Sequence, residues 1–162
     1  MKKIILSVLL ISVLSLSLFA VEPANLALKT AINSDVSIMF TSDAAGKTAI
    51  TEKNVNNDAA AVVYVSYTSN AKSRASVSLS ATKIASPTVA SKIGYTIAVN
   101  GAGAVGFTND ALNITDLFAT KDLTAKTTEI KTLTIDLDDA NVADALSATD
   151  YVGTVTVTVA AN

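Results

Sequence analysis

Hydrophobic and polar residues alternate along most of the chain, and this alternation predicts β-strands. Residues 61–68 form the densest run, with Val63, Val65 and Tyr67 on one face. Successive side chains of a strand point to opposite faces of a sheet, so a period of two indicates a strand with one face buried. The same pattern predicts strands at residues 25–33, 36–40, 75–84, 92–100, 127–138 and 151–160.

The segments between these runs carry turn and loop residues. Residues 41–58 hold Gly46 and several Asn and Asp residues, which predicts a loop with a short strand around Ala49 and Ile50. Asn100-Gly101 is a strong turn dipeptide. Residues 102–118 are less regular, because two glycines weaken any strand there, and residues 138–148 have the spacing of a helical turn.

The strand and turn pattern predicts an all-β protein, an immunoglobulin-like antiparallel β-sandwich of about seven or eight strands. A parallel α/β fold needs crossover helices, and no long helical period is present. Each of the four tyrosines lies in a predicted strand, so we expect core packing or cross-strand pairing for Tyr64, Tyr67, Tyr95 and Tyr151.

The first twenty residues have the layout of a secretory signal peptide. Lys2 and Lys3 form a basic head, residues 4–19 are apolar apart from serines, and Ala20 precedes a polar, proline-containing stretch. The apolar run is shorter than the roughly 20 residues of a membrane anchor. We therefore expect residues 1–20 to be removed on export, no stable membrane insertion afterwards, and one β-sandwich domain over residues 21–162.

Composition argues against most catalytic functions. The chain has no histidine and no cysteine, which removes most nucleophile–base pairs, thiolate metal sites and disulfides. Without Lys2 and Lys3 the formal net charge of −2 becomes about −4, so nucleic acid is not an expected partner. We predict no enzymatic activity, no catalytic residues and no cofactor.

Two stretches have some features of ligand sites. Residues 100–106 are glycine-rich, but no helix with an acidic residue in register follows, so they indicate a hairpin connection and not a nucleotide site. Calcium ligands remain an open alternative for one acidic cluster, although its spacing lacks the helix-loop-helix pattern, and solvated charges are the simpler interpretation. That cluster comprises Asp136, Asp138, Asp139 and Asp144. No metal ligand is predicted.

Two segments carry a family resemblance. Residues 145–159 contain a small-residue turn, then Tyr151 and Gly153, then an alternating final strand. At the expected mature start, Val21 and Glu22 lead into the alternating residues 25–33. Both resemble pilins assembled by the chaperone–usher route, in particular the cysteine-free major subunits of the colonisation-factor type. Residues 43–58 and 102–118 match no segment of that family.

The resemblance implies a mechanism. In such pilins the fold lacks one strand, and the N-terminal extension of the next subunit fills the resulting groove. Residues 24–33 are then the candidate donor strand, with Leu26, Leu28, Thr30 and Ile32 inserted. The resemblance also implies a fibre on the cell surface, with a periplasmic chaperone and an outer-membrane usher as partners.

Two other functions stay open at this point. The same N-terminal strand can pair within its own domain, which would make the protein a monomeric surface or periplasmic binding module for a host receptor or partner protein. A secreted enzyme or enzyme accessory domain is the third, weaker hypothesis.

Overall fold

The computed structural model describes residues 35–160. This part of the chain contains eleven strands and one short helix, which follow in the order β1 (Val36–Thr41), β2 (Ala61–Ser69), β3 (Ser73–Arg74), β4 (Val77–Thr82), β5 (Ile84–Ala85), β6 (Lys92–Ile93), β7 (Tyr95–Val99), β8 (Ala111–Phe118), β9 (Lys121–Asp122), β10 (Thr127–Leu137), α1 (Asp139–Asp144) and β11 (Val155–Val159).

The longer strands form two antiparallel sheets. One sheet has four strands in the order β1-β2-β10-β7, and the other has three in the order β11-β4-β8. Two-residue ladders join β3 to β9 and β5 to β6. The inward side chains of both sheets build one hydrophobic core, so the predicted all-β sandwich is confirmed, with seven strands in its two main sheets.

The alternation of the sequence is the reason that the core forms. On β2, Val63, Val65 and Tyr67 are buried, and on β4 the buried positions alternate with exposed serines and a threonine. Tyr67 packs against Phe118 of β8 with ring centroids 5.4 Å apart, which joins the two sheets. A fully buried aliphatic side chain contributes about 1.5–3 kcal/mol, so burial of these core positions stabilises the domain.

Strand β8 was not predicted. The sequence predicts an irregular segment over residues 102–118, but Ala111–Phe118 is a strand that pairs with β4 at residues 111–114 and at Phe118. The register shifts between Val77 and Leu79, and Asp116 lies opposite this shift with a φ of 55°. Such a bulge interrupts the period of two, so that adjacent Leu117 and Phe118 are both buried. The broken alternation concealed the strand.

Several predicted boundaries also differ from the structure. The final strand begins at Val155 and not at Tyr151, which lies in the preceding irregular segment. The expected strand at residues 92–100 is two pieces, β6 and β7, with Gly94 between them. The helical turn is confirmed as α1, and Asp138 caps it by accepting hydrogen bonds from the main chain of the first turn.

Turn and loop predictions agree with the structure. Asn100 and Gly101 both have positive φ, 51° and 72°, as the two central residues of a type I′ turn require. Residues 42–60 form a loop in which Ala49 makes an isolated bridge to Thr41, the predicted short strand reduced to one pair.

One nearly buried cation lies in the sandwich. Arg74 Nε and Nη2 donate to the Ala119 carbonyl at 3.0 and 2.7 Å. Arg74 Nη1 lies 2.5 Å from Glu129 Oε2, a contact that is an ion pair by distance but lacks hydrogen-bond angles. The guanidinium also lies about 6 Å from the ring centroids of Tyr67 and Phe118. These contacts compensate for removing the charge from water.

The expected signal peptide, residues 1–20, and the candidate donor strand, residues 24–33, lie outside the described residues. No helix found within residues 35–160 has the length and apolar character to cross a membrane.

Gly46 is required by the loop that covers the outer side of β2. Its φ is 67°, and a Cβ atom there would lie 2.8 Å from Ser66 Oγ and 2.9 Å from Ile130 Cδ1. Asp43 holds the same loop by accepting hydrogen bonds from the main chain of Ala45 and Thr48. A side chain at residue 46 therefore meets both backbone strain and steric overlap.

We predict that Gly46→Ala lowers the free energy of unfolding by roughly 2–4 kcal/mol, measured by urea denaturation. Two other glycines separate the causes. Gly101→Ala adds a side chain in open space at positive φ and is expected to cost about 1 kcal/mol, whereas Gly103→Ala, in open space at an ordinary φ, is expected to cost almost nothing. Equal losses for Gly46→Ala and Gly101→Ala would contradict the steric part of this prediction.

Candidate peptide-binding groove

Strand β11 is an edge strand of the three-stranded sheet. Among residues 35–160 it pairs only with β4, from Val155 opposite Ala81 to Val159 opposite Val77. The main-chain groups on its other side therefore have no strand partner in the described part of the chain. An unpaired edge of this kind is a template for an added strand.

The hydrogen-bond ladder identifies which residues of β11 face the free edge. Thr82 N donates to Thr154 O, and Ala160 N donates to Ser76 O. In an antiparallel pair, bonded and non-bonded residues alternate, so the even-numbered residues of β11 bond β4. The N–H and C=O groups of Val155, Val157 and Val159 consequently point away from β4 towards the free edge.

The same three valines form an apolar rim. Their side chains point inward and pack against the core but are only partly buried, while Thr156 and Thr158 face outward and are exposed. The free edge thus combines unpaired main-chain groups with partly exposed aliphatic side chains on its inner side. This is the combination that an incoming strand with alternating apolar residues would complete.

A groove of about 870 Å³ lies beside the start of β11. Its apolar floor comes mainly from the inner faces of the two sheets and the short strands that adjoin them: Phe40, Val63, Ile84, Ile93, Tyr95, Leu133, Ile135, Leu137 and Val155. Alternation along β2 and β10 points Val63, Leu133 and Ile135 inward, so these side chains form part of the groove lining.

Residues 151–154 form one wall of the groove, and glycine permits their close approach to the end of β4. A Cβ atom on Gly153 would lie 2.8 Å from Ile84 Cγ1 and 3.3 Å from the Thr82 carbonyl oxygen. The Tyr151 hydroxyl donates to the Leu146 carbonyl, 2.7 Å away and five residues upstream, as tyrosine corners of other sandwiches do. These contacts explain the Tyr-x-Gly spacing in physical terms.

Asp150 anchors the same wall to the chain after β5. Its carboxylate accepts hydrogen bonds from the hydroxyls of Ser86 and Thr88, the second at 3.0 Å. Because the Ser86 and Thr88 hydroxyls stabilise the charged form, the pKa of Asp150 lies below its ordinary value. Asp150 is therefore ionised at neutral pH and holds the segment that leads into β11.

Tyr95 places a polar group at the floor of the groove. The side chain is almost fully buried, and its hydroxyl donates to the Thr82 carbonyl at 2.9 Å. Its ring meets Phe107 edge to face, with centroids 4.9 Å apart. Burial raises the pKa of Tyr95 to about 12, because the phenolate cannot be solvated there.

Residues 51–57 also line the groove. They form no regular secondary structure, and only Val55 among them is partly buried and packed against the core. The groove lining thus includes both the start of β11 and an irregular segment.

The sequence-based site residues fall into two groups. Leu26, Leu28, Thr30 and Ile32 lie outside the described residues, so their role as a donor strand stays a prediction. Of the acidic cluster, Asp138 caps α1, and within residues 35–160 no group of three acidic side chains is placed to hold a metal ion.

The sequence does not identify the residues of β11 and of the groove that would accept an added strand. The alternating valines of β11 signalled a strand, but nothing in the pattern identified it as an edge. Ile50 and Val55, which also line the groove, lie in a segment that the sequence predicts as a loop with a short strand around Ala49 and Ile50. The proximity of these residues depends on contacts far apart in the chain.

No protein-family model, curated protein or solved structure matches this chain.

The Tyr95 environment predicts a specific loss of stability at alkaline pH. The unfolded chain releases the tyrosine proton near pH 10, while the folded chain holds it until about pH 12, so rising pH favours the unfolded state across that interval. At the upper end we expect this group to account for roughly 2–3 kcal/mol of lost stability.

Urea denaturation of the wild type and Tyr95→Phe at several pH values measures this contribution. At pH 7 the variant should be less stable by about 1 kcal/mol, because its hydrogen bond to Thr82 is lost. Above pH 10 the two stabilities should converge and then cross. Parallel curves from pH 7 to pH 12 would contradict the assignment.

Proposed function

We propose that the chain is an exported structural subunit of a fibre on the cell surface, and that it polymerises by donating residues 24–33 to the groove of a neighbouring copy. The observation that carries the proposal is the free edge of β11 beside an apolar groove. Strand addition at such an edge supplies main-chain hydrogen bonds, and pockets for alternate side chains supply specificity.

The donor segment has the length that the site requires. From Leu26 to Ile32 an extended chain spans about 20 Å, whereas β11 spans about 13 Å from Val155 to Val159. A strand of this length covers β11 and is also long enough to reach past Val155 to the groove at the start of that strand. Leu26, Leu28 and Ile32 then face the core, and Thr30 shares that face.

Burial provides the driving force. Three large aliphatic side chains at about 1.5–3 kcal/mol each give a gross gain of roughly 5–9 kcal/mol before ordering costs. Each main-chain hydrogen bond to the free edge adds about 0.5–1.5 kcal/mol net. Because the donating and accepting surfaces differ, the contact is heterologous and propagates into a fibre instead of closing.

The proposal also assigns partners. An unpaired strand edge beside an apolar groove favours aggregation until a strand is added, so a periplasmic chaperone that shields the edge and an outer-membrane usher that directs exchange are the expected assembly factors. This part of the proposal rests on the resemblance of residues 21–33 and 145–159 to chaperone–usher pilins.

Two variants of the chain that starts at residue 21 separate donation from acceptance. Leu28→Asp places a charge in the donor strand and should leave a chain that accepts but does not donate. Val157→Pro removes an N–H that points to the free edge and not to β4, so the variant should keep its own sheet but not accept a strand. Val157→Ala, which keeps that N–H, controls for the lost side chain.

We expect wild-type chains, starting at residue 21, to form concentration-dependent polymers, as measured by analytical ultracentrifugation. Each variant alone should stay monomeric, and an equimolar mixture should form a dimer of one copy of each. If residues 24–33 pair within their own domain, Leu28→Asp will instead lower the melting temperature of a monomer. The mixture will then contain no dimer, and the monomeric binding module replaces the fibre subunit.

A further inference from the structure

Residues 51–57, hereafter the cover segment, form a wall of the groove without the contacts that hold a wall in place. The segment follows Ile50, whose N–H donates to the Phe40 carbonyl at 2.9 Å. After it, Ala59 N donates to Asn56 Oδ1 at 3.3 Å. Between these two bonds, no main-chain hydrogen bond joins the cover segment to another described residue.

The side chains of the cover segment make few contacts that hold the segment in place. Val55 alone is partly buried, and the other six residues are polar or charged and exposed. Glu52 and Lys53 make no ion pair within the described part of the chain. Ordering a residue costs conformational entropy, and one partly buried valine recovers only a fraction of that cost for the whole segment.

The cover segment and the start of β11 line the same groove. We propose that residues 51–57 are a displaceable cover, which shields the apolar floor in the free subunit and moves aside when a donated strand enters. This inference rests on the strand-acceptor function proposed above and concerns the regulation of that site. Segments that move on binding belong to the least stable parts of a fold, and the contacts of this one place it there.

The donor has the composition to displace the cover. Residues 51–57 contain a single apolar residue, whereas residues 26–32 carry aliphatic side chains at Leu26, Leu28 and Ile32 on one face. Only the donor has the period of two that satisfies both the pockets and the free main-chain groups of β11. The cover segment therefore competes only weakly with the donor strand for the groove. It shields the groove in the free subunit but does not block entry of the donor.

Glutamate-specific proteolysis tests the displacement directly, because glutamate occurs only at Glu22, Glu52 and Glu129. Glu52 lies in the cover segment, and Glu129 lies within β10, where its cleavage reports unfolding of the sheet. The receiver is the Leu28→Asp chain described above. The probe is a synthetic peptide with the sequence of residues 24–33, which contains no acidic residue, and the control peptide carries Asp at the position of Leu28.

We expect the peptide to form a one-to-one complex, seen by native mass spectrometry, and to increase cleavage after Glu52 about tenfold while cleavage after Glu129 stays slow. The control peptide should change neither. A complex in which cleavage after Glu52 is unchanged or slower overturns the cover but leaves strand acceptance standing. Absence of any complex overturns both.

A second variant tests the cover without added protease. Val55→Asn weakens the packing of the cover segment against the core. The rate of peptide association, measured by stopped-flow fluorescence with a labelled peptide, should therefore increase several-fold. Val62→Asn alters an exposed valine on the outer side of β2, which does not line the groove, and should leave the rate unchanged. Slower association for Val55→Asn would mean that Val55 contacts the incoming strand, which would overturn the proposal.

Discussion

The apolar inner face of the four-stranded sheet must be shielded from water, and the three-stranded sheet opposite shields only part of it. Near the start of β11, the inner residues of β2 and β10 line a groove. Val63, Leu133 and Ile135 are buried there, and exposing them to water would be costly, because each buried methylene contributes about 0.8 kcal/mol. Core residues, the start of β11 and the irregular segment 51–57 all line this groove, so each contributes to keeping water from the apolar surface.

Strand β11 meets this constraint with different chemistry on its two sides. Towards β4 its even-numbered residues complete an ordinary antiparallel ladder, while its odd-numbered residues present main-chain groups to the free edge. Its position is set by local contacts just before it: Gly153 allows close approach to Ile84, Tyr151 bonds Leu146, and Asp150 bonds two hydroxyls. A rigid edge next to an irregular segment of the groove lining allows a strand to bind without rearrangement of the core.

Much of the fold was predictable, because a strand with one buried face has hydrophobic and polar residues that alternate with a period of two. Strands β2, β4, β7 and β10 follow from that rule with small errors at their ends. Strand β8 does not, because the bulge at Asp116 places Leu117 and Phe118 inward one after the other. Gly46 illustrates a second limit: its turn is visible in the sequence, but its contact with Ser66 and Ile130 depends on how the loop folds back over the sheet.

For the candidate site, too, some features follow from the sequence and others only from the tertiary structure. By itself the sequence determined the all-β class, the alternating valines of β11 and the apolar period of residues 25–33, because each is a local pattern of side chains. Only the tertiary structure decided that β11 is an edge strand among residues 35–160, that Phe40 and Val155 line one groove, and that residues 51–57 line it as well. Strand order and edge exposure arise from pairing between distant segments of the chain. A local hydrophobic pattern carries no information about which strands pair with one another.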